Sequence, residues 1–250
     1  YYLHEMEKIN LIDKTGKSGG GREFYGETLQ ANDKTLNVSF NTQHVRTDLP
    51  MTCFADVAAS SSEHSTFTLQ LAGKSTMVTI KPISTSDFET KAESGTMLLK
   101  TYPQTTGRQN VVLYYDYASS ESSSMGYVNY IELNVPLQLT LQGSAISICN
   151  TNYLFQTRNT RFTLTNATAT TQIWRVTDGV NIEQIPTTIN QNQMTWIGSN
   201  AQVEKYMAVD VRATNWHKPS YMGIIKNQNL HALRNKDYVI ICPEEFREQA

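Results

Sequence analysis

Apolar and polar residues alternate over short stretches through most of this chain. Leu36, Val38 and Phe40 are separated by single polar residues, as are Phe67, Leu69 and Leu71. Gly73-Lys74 then reads as a turn before Met77, Val78 and Ile80. Val111, Leu113, Tyr115 and Tyr117 alternate again, and Ile131, Leu133 and Val135 follow in Tyr130–Val135. This period of two puts one set of side chains on each face of a strand. Leu137, Leu139 and Leu141 keep the same parity beyond Pro136, a residue that marks an edge, a bulge or a break. Clusters of Ser, Gly and Asn, such as Ser60–Ser62, Ser119–Ser124 and Gly143-Ser144, divide these runs. Many short strands with such punctuation predict a β-sandwich.

A second group begins at Arg161–Thr165 and continues with Gln172–Thr177, Met194–Ile197 and Lys205–Val211. Asp178-Gly179 between the second and third is a hairpin-type dipeptide. The pattern predicts a jelly-roll-like β-sandwich over 1–147, a small β domain over 148–212 and a connector from 213. No helical period of useful length precedes Pro243, apart from a short turn over Ser84–Ala92. Tyr238–Cys242 differs from everything before it. It is a continuous apolar run, the pattern of a strand buried on both faces. Pro243, Glu244 and Glu245 follow, which suits a helix start: proline needs no N–H partner there, and the dipole favours acids. Residues 213–250 are therefore expected to hold a connector and the first strand and helix start of an α/β domain. On this reading the 250 residues are the front part of a longer protein.

The charge balance of 21 basic and 23 acidic residues gives no footprint for nucleic acid. No apolar run approaches the roughly 18 residues of a membrane-spanning helix. Glycines 19–21 follow Gly16-Lys17-Ser18 as a loop, without the helix that a phosphate-binding loop must open. The five histidines, at 4, 44, 64, 217 and 231, form no metal-ligand pair, and no cofactor is expected. Cys53, Cys149 and Cys242 are far apart in sequence. A Cys53–Cys149 disulfide and two buried free thiols are both open, the latter favoured. A Cys242–His231 dyad is conceivable, but a thiol ending an apolar strand is ordinarily a core residue. Carboxylate pairs such as Glu27 with Glu132, or Asp116 with Glu132, suggest glycosidase chemistry only if they stand close together. Tyr102, Tyr114, Tyr115, Tyr117, Tyr127 and Tyr130 fall within thirty residues. The first four are candidate ligand-contact aromatics, since tyrosines on a sandwich can stack on sugar rings; tyrosine is also common strand composition.

Several segments, in order, carry a family likeness: Phe24-Tyr-Gly-Glu27, Gly126–Leu133, Asn227-Gln-Asn-Leu-His-Ala232 and Asp237–Ala250. Together these resemble the N-terminal β region of gingipain-type cysteine peptidases, closest to the PorU-like kind of the Bacteroidetes type IX secretion system. The ending is the most specific of these segments. Phe24 stands where relatives often have Trp, and Val135-Pro136-Leu137 where they often have a basic residue. The resemblance implies a secreted, cell-surface processing enzyme that removes C-terminal sorting signals from cargo with a Cys–His dyad. It places that dyad beyond Ala250, so no catalytic residue is carried over, and this stretch itself is expected to be inactive. Implied partners are its own downstream peptidase domain, secreted cargo proteins and outer-membrane secretion components. The alternatives are a sandwich that binds carbohydrate or peptide through the tyrosines and, less strongly, a glycosidase-like enzyme.

Overall fold

A computed structural model describes residues 1–11, 23–30, 32–84, 91–151, 155 and 157–214, with 216, 218–224, 234, 240, 242, 243, 247 and 248. All secondary structure among the described residues is β. The apolar run at 238–242 and the helix start after it lie almost entirely outside the described residues. So do the glycine loop at 19–21 and most of the Ser84–Ala92 turn. The chain divides into two compact units, Tyr1–Thr140 with Thr163–Thr165, and Leu141–Phe162 with Asn166–Ala250.

The first unit is a β-sandwich. One sheet has the order β1–β9–β4–β7, from Tyr2–Glu5, Met125–Asn134, Met51–Ser60 and Glu93–Thr101, with short β2, Thr28–Leu29, also on β9. The other has the order β3–β8–β5–β6, from Thr35–Phe40, Gln109–Tyr117, Ser65–Leu71 and Lys74–Ile80. Setting β2 aside and counting the remaining strands in chain order, the sheets run 1-8-3-6 and 2-7-4-5. That is the jelly-roll arrangement of two Greek keys. Every pairing within them is antiparallel.

Alternation supplies the core. Met51, Cys53, Ala55 and Val57 of β4 point inward, with Phe67 and Leu69 of β5, Leu113 and Tyr115 of β8, and Ile131 and Leu133 of β9; all are fully buried. Gly126 lets the two sheets close over their aromatics. A Cβ there would lie 2.8 Å from Phe67 Cζ and 2.9 Å from Tyr115 Cγ. The β4–β9 register shifts at Asp56/Val57, where Tyr130 pairs Asp56 and Val128 pairs Val57. Asn129 is thus the extra residue of a β-bulge. Beyond the bulge, Ala58 and Tyr127 meet Tyr25 in a small second cluster. Tyr25 is held by paired backbone hydrogen bonds with Ile9, both 2.8 Å. Burial pushes its hydroxyl up to about 12. The β5–β6 turn is Ala72-Gly73, both with positive φ (49° and 72°), one residue before the turn read from the sequence.

The second unit has shorter strands. One sheet has the order β10–β16–β12–β13, from Ala145–Cys149, Lys205–Asp210, Thr171–Arg175 and Glu183–Gln184. Another has the order β11–β15–β14, from Thr160–Leu164, whose last two residues group with the first unit, Gln193–Gly198 and Thr188–Asn190. Asp178-Gly179 does turn the chain between β12 and β13, within a longer loop in which Asp178 Oδ1 accepts from the backbone N–H of Val180 and Asn181. The core centres on three rings. Phe162 stacks on Trp196 at 5.0 Å, and Tyr206 meets both at 5.4 and 5.8 Å. Beside them Glu204, only 7% exposed, accepts hydrogen bonds from Tyr206 Oη, Ser199 N (2.9 Å) and Arg175 Nη1 (3.3 Å).

All three cysteines are free. Cys53 is buried as expected, and loss of solvation pushes its thiol up to about 12. Cys149 is exposed, which corrects the expectation of a buried thiol. It ends the edge strand β10 with parity opposite to the inward Ile148.

Candidate functional site

The sheet β3–β8–β5–β6 turns one face to the core and the other to solvent. Its register sets Thr35, Tyr114, Thr68 and Met77 in one outward row. The next row is Asn37, Val112, Gln70 and Ser75. Asn110 follows beside Ser39, whose Oγ donates to Asn110 Oδ1 at 2.5 Å. A shallow depression of about 350 Å³ opens at this end of the face, lined by residues 70–75 with Asn110 and Val112. Gln104 Nε2 donates to Ala72 O at 3.0 Å and fixes the rim. The chemistry offered is two amides, a hydroxyl and the Lys74 ammonium, two residues along β8 from the half-exposed ring of Tyr114. Such a set suits hydroxyl-rich ligands, because amides donate and accept while an aromatic ring covers apolar C–H faces.

The four candidate tyrosines do not form one platform. Tyr114 faces outward on central β8, and Tyr102 is 58% exposed just after β7. Tyr115 has the opposite parity and is fully buried. Its ring centroid lies 4.6 Å from that of Phe67, and its hydroxyl is 2.7 Å from Ser124 Oγ. Desolvation raises its pKa. Tyr115 therefore belongs to the core and presents no ring to a ligand. Tyr117 is partly buried against Tyr115 at 5.4 Å, with Lys34 Nζ 4.2 Å from its centroid. Strict alternation along β8 separates Tyr114 from the other two.

The carboxylates considered for glycosidase chemistry are also dispersed. Asp116 sits on the solvent face of β8 and pairs with Lys34 at 3.6 Å. Glu132 faces outward from β9 in the opposite sheet and accepts from Tyr1 Oη at 2.9 Å. A sandwich about 10 Å thick stands between those two faces. Glu27 is bonded to His4 Nε2 at 2.8 Å. Among the described residues no three His, Cys, Asp or Glu side chains form a metal-binding group, and no helix is long and apolar enough to cross a membrane. Of the Cys242–His231 dyad, only Cys242 lies among the described residues.

Sequence reasoning missed β4 and β7, and with them the aromatic and acidic outer face of the other sheet. The inward series Met51, Cys53, Ala55, Val57 does alternate. Phe54 and Leu98, apolar at outward positions, break the signal in their strands.

No protein-family model matches the chain. No curated protein matches it either. Among solved structures, dimeric latent PorU from Porphyromonas gingivalis matches 94% of this chain with a TM-score of 0.75 at 17% identity. The carbohydrate-binding module CBM36 in complex with calcium and xylotriose overlaps 54% of this chain and 89% of its own, at 16% identity and a TM-score of 0.31, too low to bear on fold or ligand. The chain spans 22% of the length of the PorU chain it matches. Its two β units in succession are thus a PorU-like fold.

Proposed function

We propose that these residues are the non-catalytic N-terminal β region of a secreted, cell-surface cysteine peptidase of the gingipain type, PorU-like in kind. Its role is to support a downstream peptidase domain that trims C-terminal sorting signals from cargo. The observation that carries this reading is the PorU-like fold over 94% of the chain. The family-like segments from Phe24 to Ala250 support it independently, because they rest on the residues alone.

The test is deletion of residues 1–212 from the full reading frame in its native host. Cargo is expected to keep its C-terminal signal in the deletion strain, while a Tyr114→Ala strain processes normally. Normal processing after deletion would overturn the scaffold role.

A second reading is favoured by one feature, the depression beside Tyr114. Its amides and hydroxyl suit a neutral glycan. Titration with a panel of oligosaccharides would show binding that disappears in Tyr114→Ala and Gln70→Ala; binding unaffected by both places the sugar elsewhere.

A further inference from the structure

The outward face of β1–β9–β4–β7 differs in kind from the polar face on the other sheet. Register places Leu3, Glu132, Phe54 and Leu98 in one row across four strands. Glu5, Tyr130, Asp56 and Thr96 form the next. The rings of Phe54 and Tyr130 stack diagonally between the rows, 5.9 Å apart at 26°. Leu98 is 64% and Leu3 45% exposed at the two edges of the sheet. Apolar side chains spaced across a whole sheet face mark an interaction surface, and the acids among them set the charge a partner must bring.

The acids carry the second half of the argument. Glu5, Asp56 and Glu132 occupy adjacent rows, and among the described residues none forms an ion pair with Lys, Arg or His. Glu132 accepts from a neutral donor, Tyr1 Oη, at 2.9 Å. Among the described residues of these strands, Lys100 is the one Lys or Arg on the outward face, a row further on and opposite Thr52. Desolvation, with Glu23 nearby, raises the Asp56 carboxyl above its ordinary value despite the Asn129 amide. The neighbouring Tyr130 hydroxyl is also raised, by desolvation and then by Asp56, Glu132 and Glu5. Among the described residues, the face thus gathers negative charge around an aromatic pair with no ion-pair partner for its three acids.

We propose that this face docks a cationic, apolar segment of a partner polypeptide. Its Lys or Arg side chains would meet Glu5, Asp56 and Glu132, and its apolar side chains would cover Phe54, Tyr130, Leu3 and Leu98. Charge complementarity selects that occupant: an acidic partner would bring like charges together, and the three acids do not form a metal-binding group. The inference does not rest on the peptidase reading, since it uses only the face itself.

The test titrates the isotopically labelled chain with an octapeptide of alternating Leu and Lys, with its Leu/Glu counterpart and with calcium chloride, and follows backbone amide shifts. The Leu/Lys peptide is expected to shift amides of β1, β4, β7 and β9, and to bind about tenfold more weakly to the D56N/E132Q double variant. It should bind D116N, changed on the opposite sheet, as it binds the parent chain. Leu98→Ser, at an exposed position, is expected to weaken binding without disturbing the fold, and keeps the test decisive if the double variant misfolds. The proposal is overturned by shifts confined to the other sheet, by equal binding of the Leu/Glu peptide, by calcium producing the same shifts, or by no loss in these variants.

Discussion

The two β units reach a folded core by different means. In the sandwich, strands of up to ten residues each bury every second side chain, so the core is spread over many aliphatic and aromatic groups. In the second unit no strand among the described residues exceeds six residues, and three rings with one buried carboxylate hold its centre. Long strands distribute stability because each added pair of residues buries one more side chain. Short strands cannot, so a few large rings must supply the buried area. The first unit should tolerate single losses; the second should not.

Trp196→Ala is the strongest way to break that comparison. Loss of a buried indole costs about 3–5 kcal/mol. Calorimetry should show the second unit's transition lost or strongly lowered while the sandwich still unfolds cooperatively. Loss of both transitions together would deny that the units are energetically separable. Glu204→Ala comes next, at about 2–3 kcal/mol, because it leaves the Tyr206 hydroxyl and the Ser199 N–H without their acceptor, while Arg175 keeps Glu183 as its partner. Urea titration of that variant against Tyr206→Phe, expected at about 1 kcal/mol, separates the carboxylate from the hydroxyl.

Matched glycine substitutions sharpen the contrast. Gly126→Ala pushes a methyl against Phe67 and Tyr115 in the sandwich, and Gly198→Ala pushes one against Tyr206 Oη and Phe162. Overpacking costs about 1–3 kcal/mol. The Gly198 variant should lie at the upper end, because fewer neighbours can share the displacement, as paired denaturant curves would reveal.

Alkaline pH gives a smaller, graded effect. Cys53 and Tyr25 in the sandwich both ionise near 12 when folded, against 9.0 and 10.0 for the exposed groups. Their folded pKa values are raised, so their contribution is complete below pH 9. It is lost as pH rises from 9 through 12, where the unfolded chain releases these protons first. Thermal midpoints of the sandwich should fall across that window, and Cys53→Ala should remove the part that begins near pH 9.

Much of the fold was legible in the sequence, for a physical reason. Where outward residues are polar, as in Thr35–Phe40 and Ser65–Leu71, burial imposes a visible period of two, and those strands lie where the pattern puts them. Where the outward face is itself apolar, at Phe54 and Leu98, the period disappears although the strands are long. The candidate site was legible only in part for the same reason. Composition gathers Tyr114, Tyr115 and Tyr117 into one cluster, while the pleat sends them to opposite faces. Rows across strands, such as Leu3–Glu132–Phe54–Leu98, join residues from distant parts of the chain and leave no local trace.

The central claim is that these 250 residues support chemistry without performing it. The most direct measurement is incubation of the purified chain with a panel of fluorogenic peptides and a peptidyl chloromethyl ketone. The account predicts no turnover, and thiol labelling no faster than that of a free cysteine, with Cys149 reacting and Cys53 protected until unfolding. Peptide hydrolysis that disappears in Cys242→Ala would contradict it.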